Sequence, residues 1–205
     1  MLVILDWINC IAWSLAYIAA IIIGIKRRTW CIPGVAICVA FSWELLIVIF
    51  QLLHGELLSR GFLIQSIWLA LDIPILLIWL LLSHMRWKNL LVLCATMGIT
   101  FLMAYTTENW AQWAFAINLL ISLAFIWRKV RDRSPWTSLW IACCKLIGTL
   151  AATIGDGLLN KNPIILWLGG LCLLADIYYI ILLLMRTKGE EICKLLGLNF
   201  PSGSY

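Results

Sequence analysis

Residues 33–53 have the sequence PGVAICVAFSWELLIVIFQLL, in which Glu44 is the single charged residue. A helix that spans a membrane needs roughly 20 predominantly apolar residues, because each residue advances the helix by about 1.5 Å. Backbone polar groups in lipid must be satisfied within their own segment, so a helix is the expected form. The stretch therefore predicts a transmembrane helix with an acidic residue near its middle.

Six other stretches share this length and apolar character. The predicted spans are 3–25, 33–53, 61–83, 89–107, 110–127, 135–156 and 163–185. The chain is 64% hydrophobic and 12% charged, whereas soluble domains carry about 25% charged residues. We predict an all-α, multi-pass integral membrane protein, a bundle of seven transmembrane helices. One domain covers 1–186, and a short cytoplasmic tail covers 187–205.

The distribution of Lys and Arg predicts the orientation of the bundle. Arg60 and Lys161 lie on one side, Lys145 lies within the sixth span, and the other twelve of the fifteen share the opposite side. Cytoplasmic connections carry the excess of Lys and Arg, so the N-terminus is predicted outside and the C-terminus in the cytoplasm. The basic residues form no continuous stripe, and nucleic acid is therefore not an expected partner. The expected partner is the lipid bilayer.

Four ionisable residues fall near the middle of predicted spans: Glu44, Asp72, Lys145 and Asp176. A charge at the centre of a bilayer costs on the order of 2.5–3.5 kcal/mol on insertion scales. Such residues are expected to face an interior, where they pair, lose their charge or meet water. Because their depths are similar, we predict that all four share one cavity.

Polar and aromatic residues recur at helical spacing around these charges. They are Gln65, Trp68 and Trp79 with Asp72, Trp43 beside Glu44, Tyr179 with Asp176, and the first-span stripe of Asp6, Asn9, Trp13 and Tyr17. Aromatic faces attract cations, and carboxyl groups removed from water keep their protons and can act as acids. A site that stabilises a carbocation would need such groups, and apolar packing is the alternative role for the deep tryptophans.

A purely structural interpretation accounts for part of the same pattern. Intramembrane polar residues hold helices together, and we assign that role to Asn118, Thr96 and Thr100. Lys145 is either part of a structural ion pair or a counter-ion of the site. Three acids share this one cation, so one or two carboxyl groups are expected to remain unpaired.

Three short motifs carry a resemblance to a known family. They are Phe41-Ser42-Trp43-Glu44-Leu45-Leu46, Trp68-Leu69-Ala70-Leu71-Asp72 and Asp176-Ile177-Tyr178-Tyr179. With seven predicted spans, the chain resembles the small integral-membrane terpene cyclases. That family includes fungal meroterpenoid and indole-diterpene cyclases and shorter bacterial relatives that act on prenylated indole compounds.

The resemblance implies a class II cyclisation of a farnesylated, indole-type substrate, in which an alkene or epoxide is protonated and the cation closes rings. It implies that Glu44 and Asp176 are the key acids and Asp72 a third member of their network. No diphosphate leaves, so no metal or cofactor is expected, and no Asp-rich DDxxD cluster is present. The residues expected to contact substrate and stabilise the cation are Trp43, Trp68, Trp79, Tyr179 and Gln65.

A proton-coupled transporter of small molecules is the alternative, since it would use the same intramembrane acids. A retinal-binding protein is disfavoured because the seventh span has no lysine between Pro163 and Met185.

Overall fold

The computed structural model describes residues 1–83, 86–106, 109–132 and 138–195, which form helices and connections without a strand. Within these ranges there are seven α-helices, and α6 continues directly as a π-helical segment, Thr153–Leu159. The helices are α1 Leu2–Arg27, α2 Gly34–Leu53, α3 Arg60–Leu82, α4 Arg86–Thr106, α5 Trp110–Asp132, α6 Leu139–Ala152 and α7 Pro163–Leu195. The all-α prediction is confirmed for the part of the chain that the structure describes.

Local sequence signals set several helix ends. Ser59 caps α3, where its Oγ accepts a hydrogen bond from the Phe62 N–H at 3.0 Å. Asn162 acts in the same way before α7, accepting from the Ile165 N–H at 3.2 Å. Pro163 then occupies the first position of that helix, where its missing N–H would have had no helical partner.

Six helices in the described ranges are long and apolar enough to cross a membrane. They are α1, α2, α3, α5, α7 and the combined segment Leu139–Leu159. The apolar part of α4, Trp87–Met103, is shorter. Length and composition therefore indicate a multi-pass membrane protein. The α7 helix extends past the predicted end of its span at 185 as far as Leu195, and the tail residues 196–205 lie outside the described ranges.

Two side-chain contacts show which helix ends lie together. Arg60, at the start of α3, pairs with Asp6, near the start of α1, with 2.6 Å between Nη2 and Oδ2. Arg128, near the end of α5, donates to the carbonyl of Trp30, just after α1, at 2.7 Å. The helices α1, α3 and α5 therefore run in the same direction. We call the two ends of the bundle the Asp6 end and the Arg128 end.

The helices enclose an interior to which α1, α2, α3, α5 and α6 contribute. The α1 helix packs on α3 and α6, α2 packs on α3, α4 and α5, and α7 packs on α5 and α6. Close approach requires glycine at Gly148, where a Cβ would lie 2.6 Å from the Trp13 ring. The α1 and α6 helices therefore pack with the Trp13 ring directly against the α6 backbone.

Candidate functional site

A cavity of about 320 Å³ opens among five helices and reaches from the Asp6 end toward the middle of the bundle. This volume falls in the range of pockets that hold small ligands, roughly 300–1,000 Å³. Its wall combines aromatic rings with amide, hydroxyl and carboxyl groups. The residues that carry these groups include Asn9, Trp13, Tyr17, Trp43, Glu44, Gln65, Trp68, Asn118 and Thr149.

The mouth of this cavity is charged. Asp6 and Arg60 line it as an ion pair, and their side chains are 32% and 42% exposed, respectively. Asp156, on the π-helical segment that follows α6, also lines the cavity. Single-turn π-helical segments are frequent at functional sites. The exposed charges place the opening at the Asp6 end, whereas the deeper wall is largely aromatic and neutral.

Glu44 is the acidic residue on the deeper wall of the cavity. Its position on α2 places it on the same face as Ala40 and Trp43, which also line the cavity. The side chain is 6% exposed, and its buried Oε2 accepts no hydrogen bond from any residue that the structure describes. Among the described residues no cation pairs with Glu44, and a buried carboxylate without such a partner is costly. We therefore expect Glu44 to hold its proton.

A second, much smaller cavity of about 20 Å³ lies beside the first and is lined by Asp72 and Lys145. Four residues line both cavities and lie between them: Trp13, Tyr17, Ala40 and Ile121. A volume of this size holds about one water molecule. The Oδ2 of Asp72 is buried and has no hydrogen-bond partner within the described part of the chain, so a water in this space would have a polar group to bind.

Lys145 and Asp176 form a buried ion pair between α6 and α7. The Nζ atom lies 2.7 Å from Oδ1 and 2.9 Å from Oδ2, and both side chains are 3% exposed. Nζ also donates to the Ser122 hydroxyl at 2.6 Å and lies 5.3 Å from the centre of the Trp13 ring. The cation is thus neutralised and fully surrounded, as a charge buried in a membrane protein must be.

The prediction that the four ionisable residues share one cavity was wrong. Glu44 lines the large cavity, Asp72 and Lys145 line the small one, and Asp176 lines neither. The physical reason is that Lys145 lies within reach of the carboxylate of Asp176. Pairing there offsets part of the energetic penalty of two buried charges. The sequence left two roles open for Lys145, a structural ion pair or a counter-ion of the site. The structure shows an ion pair with Asp176.

Asp176 is connected to the large cavity through two further side chains. The Thr149 hydroxyl lies 3.3 Å from Asp176 Oδ2, and Asn118 Nδ2 donates to Thr149 Oγ1 at 3.1 Å. Both Thr149 and Asn118 line the cavity. Thr149 and Ser122 were not among the predicted site residues. Their spacing provides a signal, since each follows a polar residue of the same helix, Lys145 or Asn118, by four positions.

Three of the predicted substrate-contacting residues lie on the cavity wall: Trp43, Gln65 and Trp68. The indole N–H of Trp68 donates to the carbonyl of Cys10 at 3.4 Å, which leaves the aromatic surface of the ring as its contribution to the cavity. The Oε1 of Gln65 is buried and, among the described residues, has no hydrogen-bond partner.

Trp79 and Tyr179 do not line either cavity. A Cβ added at Gly34 would lie 2.5 Å from the Trp79 ring, so Trp79 packs against the start of α2. Tyr179 packs against Phe125, with 5.3 Å between ring centres. Both rings therefore lie in helix–helix contacts away from the two cavities, and a contact with substrate stays a prediction for them.

The first-span stripe contributes Asn9, Trp13 and Tyr17 to the cavity wall. The rings of Trp13 and Tyr17 lie 5.8 Å apart at an angle of 57°. The sequence indicated a shared face for these residues but did not select them as site residues. Their helical spacing along one face of α1, which packs against α3 and α6, is the signal that could have identified them as site residues.

Among the described residues, no group of three or more His, Cys, Asp or Glu side chains could hold a metal ion. The large cavity is lined by carboxyl, guanidinium, amide, hydroxyl, aromatic and aliphatic groups. The chain matches no family model, and comparisons with curated proteins and with solved structures give no match either.

Proposed function

We propose that the chain is a membrane-embedded terpene cyclase of the class II type. In this proposal Glu44 protonates an alkene or epoxide of a prenylated, indole-type small molecule. The observation that carries the proposal is the buried carboxyl group of Glu44 on the wall of an aromatic cavity, where its Oε2 has no hydrogen-bond partner among the described residues. The motifs that resemble those of small membrane terpene cyclases support the same assignment.

In the proposed topology all seven helices cross the membrane, with the N-terminus outside and the C-terminus in the cytoplasm. The clustering of basic residues supports this orientation. Lys26 and Arg27 at the end of α1, and Arg128 and Lys129 near the end of α5, lie at the Arg128 end. The mouth of the cavity at the Asp6 end would then face the outer side of the membrane.

The first chemical step is transfer of the Glu44 proton to one carbon of the alkene or to the epoxide oxygen. In the epoxide case a C–O bond breaks as the O–H bond forms. The resulting carbocation is attacked by the π electrons of the next double bond, which forms a ring and moves the charge along the chain. Loss of a proton from the last cation to the carboxylate of Glu44 restores the acid. The product is an isomer of the substrate, and no co-reactant is consumed.

The aromatic wall supplies stabilisation where the positive charge moves. Trp13, Tyr17, Trp43 and Trp68 all line the cavity. A cation over an aromatic ring gains about 0.5–2 kcal/mol. These rings act mainly on the charged intermediate, so they favour the transition state over the neutral substrate.

The remaining acids have different roles in this proposal. Asp176 is committed to Lys145 and acts through Thr149 and Asn118, so it is a positioning residue and not the proton donor. The Oδ2 of Asp72 likewise has no hydrogen-bond partner among the described residues. In this proposal Asp72 is the third member of the acid network, and Tyr17 lies on the wall of both cavities.

The test is conversion of 3-farnesylindole, or of its terminal epoxide, by membranes that contain the protein. Chromatography and mass spectrometry should reveal a ring-closed product with the mass of the substrate. The Glu44→Gln variant should form none. Glu56→Gln is the matched control, because Glu56 is exposed in the connection between α2 and α3 and its loss should leave conversion unchanged.

A transport assay separates the cyclase from the alternative function. Proteoliposomes with a pH gradient are given the same compounds, and their contents are analysed. Accumulation of the unchanged compound without any isomer would replace the proposed cyclase with a proton-coupled transporter. Formation of the isomer independently of the gradient is the result that we expect.

A further inference from the structure

The ion pair of Lys145 and Asp176 fixes the direction of every hydrogen bond that leads from it to the cavity. Asp176 is paired with the ammonium group through both oxygens, so it is ionised and can only accept hydrogen bonds. The Thr149 hydroxyl, 3.3 Å from Oδ2, must therefore be the donor in that contact. This step uses the only proton on the hydroxyl.

Thr149 Oγ1 then has only lone pairs left for its contact with Asn118. The atom of Asn118 that faces it at 3.1 Å must consequently be the NH₂ nitrogen, Nδ2. Rotation of the amide by 180° would place two acceptors in contact, which is unfavourable. The charge of Lys145 thus imposes the orientation of the Asn118 amide through three successive hydrogen bonds, by way of Asp176 and Thr149.

The Ser122 hydroxyl holds the backbone of Asn118 by the same logic. It accepts from Lys145 Nζ at 2.6 Å and donates to the carbonyl oxygen of Asn118 at 3.0 Å. Both the main chain and the side chain of Asn118 are therefore connected to the ion pair. This arrangement restrains a residue on the cavity wall.

The amide oxygen of Asn118, Oδ1, is the polar atom of its side chain that these hydrogen bonds do not use. Asn118 lines the large cavity, and its Oδ1 is buried without a hydrogen-bond partner in the ranges that the structure describes. A buried acceptor without a donor is destabilising, and a ligand that brings a donor removes that penalty. Asn9 Oδ1 and Gln65 Oε1, on the same wall, are unsatisfied in the same way.

We propose that Asn118 Oδ1 accepts a hydrogen bond from an N–H or O–H group of the ligand. The cavity would thus select lipophilic molecules that carry such a donor. Thr149 and Asp176 are then positioning residues that keep the amide oxygen available. The choice of a prenylated aromatic scaffold rests on the proposed cyclase function, whereas the requirement for a donor rests on the hydrogen bonds.

The requirement for a hydrogen-bond donor on the ligand can be tested by binding measurements with pairs of compounds that differ only in that donor. The host is purified Glu44→Gln protein, in which the proposed chemistry is blocked, and binding is followed by quenching of tryptophan fluorescence. One pair is 3-farnesylindole and its N-methyl derivative, and the other is 2-farnesylphenol and its methyl ether. The parent compound of each pair should bind about 2- to 10-fold more tightly, the effect of one net hydrogen bond.

Substitutions in the same host locate the origin of this preference. Asn118→Leu and Thr149→Val should bring the ratio of the two dissociation constants within each pair close to one. The first substitution removes the acceptor Oδ1, and the second removes the hydroxyl that fixes the orientation of the Asn118 amide. Thr149→Ser keeps the hydroxyl and should keep the ratio. Thr100→Val is the matched control, because Thr100 is also buried but donates to the Thr96 carbonyl within α4 at 2.7 Å.

Two outcomes would overturn the proposal. The first is a ratio that persists in Asn118→Leu and Thr149→Val, and the second is a failure of both donor-bearing compounds to bind. These failures are distinguishable from failure of the cyclase function. Absence of any ring-closed product from wild-type protein would leave the binding ratios intact, and loss of the ratios would leave conversion intact.

Discussion

Lys145 Nζ lies between the two carboxylate oxygens of Asp176, 2.7 Å from Oδ1 and 2.9 Å from Oδ2. The carboxyl of Glu44, by contrast, has a buried oxygen without any partner in the described part of the chain. Two acids that the family resemblance implies to share one network therefore have opposite surroundings. One is paired with a cation, and the other borders a cavity. Their substitutions should consequently have different effects.

Removal of one partner of the ion pair should destabilise the protein. Asp176→Asn leaves the ammonium group of Lys145 buried without a counter-charge, and breaking a buried pair in this way costs about 3–5 kcal/mol. Thermal and denaturant unfolding of the protein in detergent should show this loss. The double variant Lys145→Met with Asp176→Leu should recover much of the stability, because it leaves no buried charge. Equal stability of wild type and Asp176→Asn would contradict the pairing.

Gly34 should be intolerant of a side chain for a reason unrelated to the cavity. In Gly34→Ala the new Cβ meets the Trp79 ring at 2.5 Å, and overpacking of this kind costs about 1–3 kcal/mol. Gly98→Ala is the control, since no described atom lies within 4 Å of its added Cβ. Unfolding should distinguish the two variants. An unchanged melting temperature for Gly34→Ala would show that Trp79 does not pack there.

Trp68 should affect the rate of cyclisation more than the binding of substrate. Its ring lines the cavity, and a cation–π contribution of about 0.5–2 kcal/mol corresponds to roughly a 2- to 30-fold loss of kcat in Trp68→Leu. KM should change less, because the positive charge exists only after protonation. Trp68→Phe should keep most of the rate. Trp127→Leu serves as the control, since Trp127 is largely exposed.

A loss of substrate affinity in Trp68→Leu with an unchanged kcat would assign to Trp68 a role in binding only. The steady-state kinetics of the isomer assay provide both parameters from one experiment.

Hydropathy predicted the helices closely because a membrane span imposes a length and an apolar composition on the sequence itself. The predicted span 33–53 and the observed α2 helix Gly34–Leu53 differ by one residue. The π-helical segment Thr153–Leu159 was not predicted, since no residue pattern distinguishes it from the α-helix before it. The extension of α7 to Leu195 lies beyond the apolar run, where hydropathy no longer gives a signal.

The composition of the candidate site was only partly predictable. Helical spacing placed Trp68 and Trp79 on one face of α3, but they are about three turns, or about 16 Å, apart along the axis. Only Trp68 is at the level of the cavity. Which of the three acids pairs with Lys145 depends on the distances between helices. The residue pattern within each helix does not determine those distances.

Infrared difference spectroscopy of wild-type protein against Glu44→Gln determines whether the carboxyl of Glu44 is neutral in its cavity at neutral pH, as the proposed proton donation requires. The difference spectrum should then show loss of a protonated-carboxyl C=O band in the variant, and Glu56→Gln should show no such loss. Loss of an ionised carboxylate band in Glu44→Gln, with no change in the protonated-carboxyl region, would contradict the account.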